Sequence, residues 1–497
     1  MVSEARAPGA STAAIDRVTP HHARYDLVIV GGGSAGLPAA QTAAVLGARV
    51  ALVDRERLGG DCLYTGCVPS KALLRVARAA HEVRHAGALG LDARLGPVDL
   101  AAVMDRVNRV IARVGERDAP EAYERLGVEV IFGTAQFTAP RVLSVNDHPI
   151  RAGAFLICTG SRPRMPDLPG LAGAGVRTSD TVWDLLELPG TIAIVGGGPV
   201  GVELAQAFAR LGSRVTLLQR GGRILPREDP EASTALHACL AADGVDIRTG
   251  ADVRAVALRG GQRVVTASAA DGTSIEVAAD EVLLAVGRVP YVEGLGLAAA
   301  GVALTAEGAI QTDATLRTTN RRVYAAGDVR GAPFFTHAAA RQARLAVRNA
   351  VLPVRARLDE RALPWATFTD PEVARVGLSE MEARARYGER VRVYMVSLAE
   401  MDRAEAEGAP AGFVKLVAAR DGELLGAQLV GRDAGEYINE IALALHARLK
   451  IGTLWQTTHV YPTLALAIQL AAGQQTIASV SGNPVIGALR RARRLVP

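Results

Sequence analysis

One glycine-rich unit occurs twice in this chain, and the repeat restricts the possible folds more than any other feature. In the first copy the apolar segment 25–30 leads into Gly-Gly-Gly-Ser-Ala-Gly at 31–36, a helical pattern follows, and a second apolar segment ends at Asp54. The second copy places Gly-Gly-Gly-Pro-Val-Gly at 196–201, 165 residues later without a gap. Each copy predicts strand, turn, helix and strand, a unit whose glycines let backbone N–H groups approach a pyrophosphate. The chain is therefore predicted to contain two dinucleotide-binding folds.

The composition is that of a globular protein of several domains. The 497 residues are 49% hydrophobic and 22% charged, and their length predicts about three domains. Four cysteines are too few for a secreted disulfide scaffold, so a cytoplasmic localisation is favoured. The net charge of +5 is spread along the chain, with three lysines against 53 arginines. The excess of arginine over lysine reflects the overall composition of the chain and does not indicate a nucleic-acid-binding surface. No nucleic-acid partner is predicted.

The two ends of the sequence differ in composition from the rest. Residues 1–24 have no apolar core of the kind found in a signal peptide and are predicted to form a disordered leader. Residues 479–497 form a basic tail, for which a solvated state is favoured over a weak contact with an anionic membrane surface. No run of apolar residues is long enough for a transmembrane helix.

The segment from Gly59 to Lys71 carries the chemistry. Cys62 and Cys67 are close enough in sequence to form a small disulfide ring, and a helix is predicted to begin after Cys67. A thiol at a helix N-terminus is favoured as thiolate, and Lys71 lies one helical turn further on. A structural disulfide or half of a zinc site is the alternative. Zinc requires further ligands, but Cys158 and Cys239 stand alone in the sequence, so a redox dithiol is favoured and no resident metal is predicted.

The remaining segments alternate between helix and strand. A long helix is predicted over 101–126, followed by short strands over 127–145, and buried strands are predicted at 155–161, 281–288 and 323–328. From about residue 363 strands and turns predominate, followed by a helix over 434–449. The fold class is therefore α/β, with two Rossmann-like domains and a C-terminal α+β domain.

Together these motifs resemble the flavoprotein disulfide reductases, the class I pyridine nucleotide-disulfide oxidoreductases, which include dihydrolipoamide dehydrogenase, glutathione reductase and mercuric reductase. The resemblance covers roughly residues 25–472 and includes Cys-Thr-Gly-Ser at 158–161, Ala-Gly-Asp at 326–328 and Thr-Asp-Pro-Glu at 369–372. It implies FAD, NADPH or NADH, and a homodimer whose active site is shared between subunits. It also implies FAD-binding segments at 25–165 and 291–358, an NAD(P)-binding domain at 166–290 and a dimerisation domain at 359–478.

The resemblance assigns roles residue by residue. Cys67 is expected to face the flavin, Cys62 to attack the substrate, and Lys71 to pair with Glu203 beside the flavin. Asp54 and Asp328 are implied to hold the adenosine ribose and the flavin's sugar chain. The positions implied for FAD are Gly31, Gly33, Ser34, Ala35, Gly36, Asp54, Gly60, Asp61, Lys71, Ala135, Thr159, Gly160, Ser161, Gly327, Asp328 and Ala338. Those implied for NAD(P)H are Gly196, Gly198, Pro199, Gly201, Glu203, Gln219, Arg220, Arg223 and Gly287.

The C-terminal segment departs from the disulfide-reducing members of this family. Those members have His-Pro-Thr followed by a Glu that orients the histidine, whereas this chain has Tyr461 and Leu466 at the two positions. A phenol exchanges protons near neutrality far less readily than an imidazole. His459 could replace the missing base or could be a satisfied interface histidine, and the sequence leaves both open. Tyrosine at this position resembles mercuric reductases, but no cysteine follows Cys239 to deliver Hg(II).

The favoured function is an NAD(P)H oxidoreductase of the mercuric-reductase-like branch. Electrons would leave through Cys62 and Cys67 to a soft metal ion such as Hg(II), or to a disulfide. Dihydrolipoamide dehydrogenase and a redox-sensing flavoprotein without physiological turnover are the alternatives. NADPH is predicted to be preferred, because the second repeat ends in Gln219 and Arg220 where an acid would hold a ribose hydroxyl, and Arg223 follows.

Overall fold

The computed structural model describes residues 25–481, so the predicted leader and the part of the basic tail from residue 482 onward lie outside the described residues. The strands are β1 (Tyr25–Val30), β2 (Val50–Asp54), β3 (Val128–Phe132), β4 (Ala135–Ala139), β5 (Val142–Val145), β6 (His148–Ile157), β7 (Ser161–Pro163), β8 (Arg177–Thr178), β9 (Thr191–Val195), β10 (Arg214–Gln219), β11 (Asp246–Thr249), β12 (Asp252–Arg259), β13 (Gln262–Ser268), β14 (Ser274–Ala279), β15 (Glu281–Leu284), β16 (Arg288–Pro290), β17 (Val323–Ala325), β18 (Pro364–Thr367), β19 (Glu372–Gly377), β20 (Val391–Ser397), β21 (Phe413–Ala419) and β22 (Leu424–Gly431). The α-helices are α1 (Gly36–Val45), α2 (Gly60–Tyr64), α3 (Cys67–Arg84), α4 (Leu100–Gly115), α5 (Pro120–Glu124), α6 (Pro199–Leu211), α7 (Pro230–Ala242), α8 (Leu297–Ala300), α9 (Thr336–Val351), α10 (Glu380–Tyr387), α11 (Asp402–Ala406), α12 (Ala434–His446), α13 (Ile451–Gln456) and α14 (Leu466–Ser481).

The described residues form two compact units. The first contains residues 25–69, 108–164 and 288–358, and the second contains 70–107, 165–287 and 359–481. The first unit has a seven-stranded sheet in the order β3-β2-β1-β6-β5-β4, with β17 also paired to β6. Strands β3, β2, β1, β6 and β17 are parallel, and the hairpin strands β5 and β4 are antiparallel. The strand before the first glycine loop therefore lies inside the sheet.

The second unit contains a smaller copy of the same arrangement. Its parallel sheet has the order β11-β10-β9-β15-β8, so the strand before the second glycine loop is again internal. The three-stranded antiparallel sheet β12-β13-β14 is the second sheet of this unit. The two parallel sheets confirm the prediction of two Rossmann-like folds.

The C-terminal part of the second unit is an antiparallel sheet covered by helices. Its strands lie in the order β18-β19-β22-β21-β20, and apolar side chains of the sheet pack against residues of α12 and α14. Strand β22 is buried along its whole length, because the sheet is covered on both faces there. The predicted α+β architecture of this region is confirmed.

The helix predicted over 101–126 is wrong in one respect, because the structure has two separate helices there. Helix α4 ends at Gly115, and α5 begins at Pro120. Ala119 has an extended backbone (φ −61°, ψ 141°), the conformation that a following proline imposes on its neighbour. The strand predicted at 155–161 ends instead at Ile157 and begins earlier, at His148.

Candidate active site

The first glycine loop is closed by its own backbone and by Asp54. A Cβ at Gly36 would overlap the carbonyl oxygen of Gly31, and Gly31 has a positive φ of 105°. The Asp54 carboxylate accepts hydrogen bonds from the backbone N–H of Gly32 at 2.7 Å and of Glu56 at 3.0 Å. The predicted loop residues and the predicted acid are thus joined in one small structure.

Apart from Lys71, which belongs to the second unit, the other residues predicted to bind FAD lie in the same unit. A Cβ at Gly60 would lie 2.7 Å from the Gly33 Cα, so the loop and the start of α2 touch through backbone alone. The Ser161 hydroxyl donates to the Asp328 carboxylate at 2.6 Å, and burial raises the pKa of Asp328. The remaining predicted positions lie on strand ends, turns and helix starts of this unit, namely Ser34, Ala35, Asp61, Ala135, Thr159, Gly160, Gly327 and Ala338.

These residues fit a dinucleotide. Gly33 and Gly60 approach each other through backbone atoms, and the first N–H groups of an α-helix have no carbonyl partner within the helix. Such a surface suits a pyrophosphate, and the half-buried Asp328 carboxylate suits a polyol hydroxyl. FAD held by these residues would supply two-electron redox chemistry at this site.

The second glycine loop repeats the first in detail. A Cβ at Gly201 would overlap the Gly196 carbonyl oxygen, and Gly196 has a φ of 112°. Gln219 Oε1 accepts from the backbone N–H of Gly197 at 2.9 Å, as Asp54 does with Gly32. The two repeats therefore share a hydrogen bond as well as a sequence pattern.

The outer part of this second site is open and basic. Gly198 and Pro199 begin α6 with no atom within 4 Å of a Cβ at Gly198, so the loop leaves room for phosphates. Arg220 is exposed, whereas Arg223 donates to the backbone carbonyls of Pro226 and Glu228 at 3.0 and 3.2 Å. Gly287 has a φ of 108°. The site fits NAD(P)H. Of the two predicted arginines, Arg223 hydrogen-bonds to its own loop, whereas Arg220 is exposed to solvent.

The two cysteines of the predicted redox pair are in contact as thiols. Their side chains hydrogen-bond to each other, and Cys67 begins α3. The hydrogen bond to Cys67 raises the pKa of Cys62, and burial adds to this effect, while Thr336 and Ser34 act in the opposite direction. One negative charge on the pair is therefore favoured over two.

Lys71 and Glu203 form the predicted ion pair in the second unit. Lys71 Nζ lies 2.9 Å from Glu203 Oε2, and only 7% of the Glu203 side chain is exposed. The other carboxylate oxygen accepts the backbone N–H of Phe368 at 2.8 Å, and Lys71 Nζ lies 4.3 Å from the centre of the Phe368 ring. Phe368, which the sequence did not single out, thus contacts both members of the pair.

The C-terminal segment holds His459 and Tyr461 in different surroundings. His459 is 7% exposed at its side chain, and its Nε2 lies 3.0 Å from a Glu440 carboxylate oxygen. Tyr461 is 66% exposed, and its hydroxyl donates to Asp402 at 2.7 Å. That hydrogen bond raises the pKa of the Tyr461 phenol further above neutrality.

Several contacts join residues that are far apart in sequence, and no local pattern indicates them. Arg288 pairs with Asp61 and donates to the Ser161 hydroxyl at 2.7 Å, across 127 residues in the latter case. Thr336 reaches Cys67 across 269 residues.

Within residues 25–481 no helix is long and apolar enough to cross a membrane.

Comparison with known proteins identifies the family. Residues 25–343 match the pyridine nucleotide-disulphide oxidoreductase family, and residues 363–472 match the dimerisation domain of the same family. The chain is 36% identical over 448 residues to a mercuric reductase of Bacillus cereus. The aligned region covers 90% of this chain and 71% of that enzyme. The chain is equally 36% identical over 461 residues to a dihydrolipoyl dehydrogenase of Thermus scotoductus, covering 90% and 96%.

Solved structures agree with this assignment. The Cu(II) complex of the HOCl-induced flavoprotein disulfide reductase RclA from Escherichia coli has a TM-score of 0.81 at 29% identity, covering 91% of this chain and 99% of that one. LpdA from Mycobacterium tuberculosis has a TM-score of 0.82 at 30% identity, covering 90% and 99%. The dimerisation domain supports a homodimer, and the family's cofactors are FAD and NAD(P)H. The chain belongs to the pyridine nucleotide-disulphide oxidoreductase family and is a flavoprotein oxidoreductase.

Proposed function

We propose that this oxidoreductase passes electrons from NADPH through FAD to the Cys62–Cys67 pair and on to an acceptor that needs no proton from the enzyme. A soft metal ion is such an acceptor. The relatives named mercuric reductase and the Cu(II) complex of RclA support this class without deciding between Hg(II) and Cu(II).

The observation that carries the proposal is the environment of the C-terminal segment. The exposed hydroxyl of Tyr461 donates a hydrogen bond to Asp402, and this bond raises the pKa of the Tyr461 phenol. His459 has both ring nitrogens against oxygens of its own chain, Thr457 and Glu440. Reduction of a disulfide releases a thiolate that must be protonated, a step for which a positioned acid is worth roughly 10²–10⁴ in rate. A metal ion has no leaving thiolate and does not need this step.

The residues of the proposed path have separable tasks. Cys67 carries the thiolate at the start of α3, and Cys62 makes the contact with the acceptor. We expect the Lys71–Glu203 ion pair to lie beside the flavin, and we expect the homodimer to bring Tyr461 of one subunit to the cysteine pair of the other. Asp54 and Asp328 position FAD.

A screen of acceptors tests the proposal. Purified protein would be given NADPH with Hg(II), Cu(II), lipoamide, glutathione disulfide, quinones or oxygen, and coenzyme oxidation would be followed. Turnover with a metal ion should exceed turnover with either disulfide and should be lost in Cys62→Ser and Cys67→Ser. Reduction of quinones, which take electrons directly from the flavin, should persist in both variants. Equal metal turnover in wild type and variants would contradict the proposed route.

A further inference from the structure

The hydroxyl of Thr336 is shared between the two sulfurs. Thr336 begins α9, and its Oγ1 lies 3.6 Å from Cys67 Sγ. The same side chain hydrogen-bonds to Cys62, to which Ser34 is also bonded. These contacts lie within the first unit.

We propose that Thr336 is a positioning residue that stabilises the dithiol form of the Cys62–Cys67 pair relative to its disulfide. The inference rests on the proposed function, because it requires this pair to be a redox couple. A hydroxyl hydrogen can point at either sulfur, so one side chain serves whichever of them carries charge. Thr336 itself is neither oxidised nor deprotonated.

The chemistry of reduction explains the preference. The S–S bond breaks on taking up the electron pair that NAD(P)H supplies through the family's activity, one proton binds to one sulfur, and the other sulfur remains a thiolate. A hydrogen bond to a thiolate is charge-assisted and is stronger than one to a neutral disulfide sulfur. The hydroxyl therefore favours the reduced side of the equilibrium.

The surroundings of Cys62 agree with a single shared charge. Its hydrogen bond to Cys67 and its burial both raise the pKa of Cys62. Cys67 lies at the start of an 18-residue helix, where the peptide dipoles favour an anion. Thr336 thus touches the sulfur that holds the charge and the sulfur that holds the proton.

The test is the reduction potential of the pair in the holoenzyme. Wild type and Thr336→Val, which keeps the shape and removes the hydroxyl, would be equilibrated in dithiothreitol buffers, alkylated, and the Cys62–Cys67 peptide quantified by mass spectrometry. This measurement reports the redox state of the two cysteines independently of that of the flavin. Thr336→Val should lower the equilibrium constant for reduction about tenfold, a potential roughly 30 mV more negative. Thr336→Ser should restore the wild-type value.

Controls keep the outcomes distinct. Thr336→Ala provides a second hydroxyl-free variant should the valine variant not fold, and it should shift the potential in the same direction. Thr42→Val removes a hydroxyl bonded only within α1 to Pro38 and should leave the potential unchanged. Unchanged potentials in folded Thr336 variants would overturn the inference while leaving the proposed function standing. A wild-type pair that never forms a disulfide would overturn the proposed function itself.

Discussion

The Nε2 atom of His459 lies 3.0 Å from one carboxylate oxygen of Glu440 and 3.1 Å from the other. The Nδ1 atom of the same ring lies 3.0 Å from the carbonyl oxygen of Thr457. An imidazole whose two nitrogens both face acceptors of its own chain has no lone pair directed at a third group. We interpret His459 as an anchor of the segment that precedes Tyr461 and not as a replacement for the missing catalytic base.

The first prediction concerns dithiol substrates. Turnover with dihydrolipoamide or glutathione disulfide should be poor, and His459→Ala should not lower the residual rate by the roughly 10²-fold expected for loss of a general acid–base. Tyr461→His combined with Leu466→Glu should raise lipoamide turnover. Leu466 begins α14, where the helix N-terminus favours a carboxylate. Steady-state kinetics of these three proteins measure the effect.

The double variant has a matched control. Leu466→Gln with Tyr461→His supplies the imidazole without a carboxylate to orient it, and it should recover less activity. Robust lipoamide turnover by the unmodified enzyme, with or without His459, would show that the argument from the missing base is mistaken.

The second prediction concerns the roles of the two sulfurs. Partial reduction should produce a long-wavelength thiolate-to-flavin charge-transfer band, because Cys67 lies at the start of α3 and the contact with Cys67 raises the pKa of Cys62. Cys62→Ser should keep the band, even without reductant, and Cys67→Ser should abolish it. Absorption spectra of the yellow holoproteins test the assignment, which is reversed if the two variants exchange behaviour.

The third prediction concerns the coenzyme. We expect NADPH to be preferred, because the second loop ends in Gln219, whose side chain is bonded to Gly197, and the neighbouring Arg220 is exposed. Arg220→Ala should lower kcat/KM for NADPH about tenfold and leave that for NADH nearly unchanged, since a charge-assisted hydrogen bond to a phosphate is removed. A wild-type enzyme that prefers NADH would refute the assignment.

Arg223 provides the comparison for this experiment. Its guanidinium is bonded to the carbonyls of Pro226 and Glu228, so it supports the loop itself. Arg223→Ala should therefore lower kcat/KM for both coenzymes to a similar extent. A loss of kcat/KM confined to NADPH would instead indicate that Arg223 binds the 2′-phosphate.

The glycine loops and the first strand could be predicted because they obey local rules. The spacing of glycines and apolar residues predicts the bounds of β1, residues 25–30, as the structure has them. Pro120 also indicates where the helix ends, because proline restricts the residue before it. The periodicity of the apolar residues continues across this point and led to the prediction of one long helix.

The contacts made by His459 and Tyr461 could not be predicted from the sequence. Glu440 lies 19 residues from His459, and Asp402 lies 59 residues from Tyr461. Nothing in the spacing of such pairs indicates that they meet, because tertiary packing and not helix or strand periodicity brings them together. The sequence predicted His459 as a possible site residue but could not show that both its nitrogens face acceptors.

The fourth prediction concerns a buried lysine. Lys415 is 1% exposed at its side chain, and its Nζ lies 2.8 Å from Asp229 and 3.2 Å from Glu231 and Glu380. Burial would lower the pKa of Lys415, but the hydrogen bond and charge of Asp229 outweigh it and raise the pKa. Lys415→Met leaves the buried Asp229 carboxylate without this cation and should cost about 3–5 kcal/mol of unfolding free energy.

An exposed lysine is the control for this loss. Lys450 is exposed, with its Nζ bonded to the Asp421 carbonyl oxygen, and Lys450→Met should change stability by less than about 0.5 kcal/mol. Urea unfolding followed by fluorescence compares the two variants with wild type. Equal stability of all three proteins would mean that the buried charges are solvated in the folded state.

The last prediction concerns pH and Glu372. Burial raises the pKa of this carboxyl from 4.5 to about 7, and the neighbouring Asp433 and Glu436 add to the effect, while a hydrogen bond from the Gly435 backbone N–H and the charge of Arg78 oppose it. The folded protein therefore keeps a proton that the unfolded chain has already released between pH 4.5 and 7.

Because the folded state binds the extra proton, the contribution of Glu372 to stability is fully present below about pH 4.5 and falls as the pH rises through 7. Glu372→Gln keeps an oxygen that can accept from Gly435 and removes the titrating group. The variant should be more stable than wild type at pH 8, and the difference should shrink or reverse at pH 5. Thermal unfolding at both pH values measures this. A constant difference in Tm across that range would show that Glu372 is already ionised in the folded protein at pH 5.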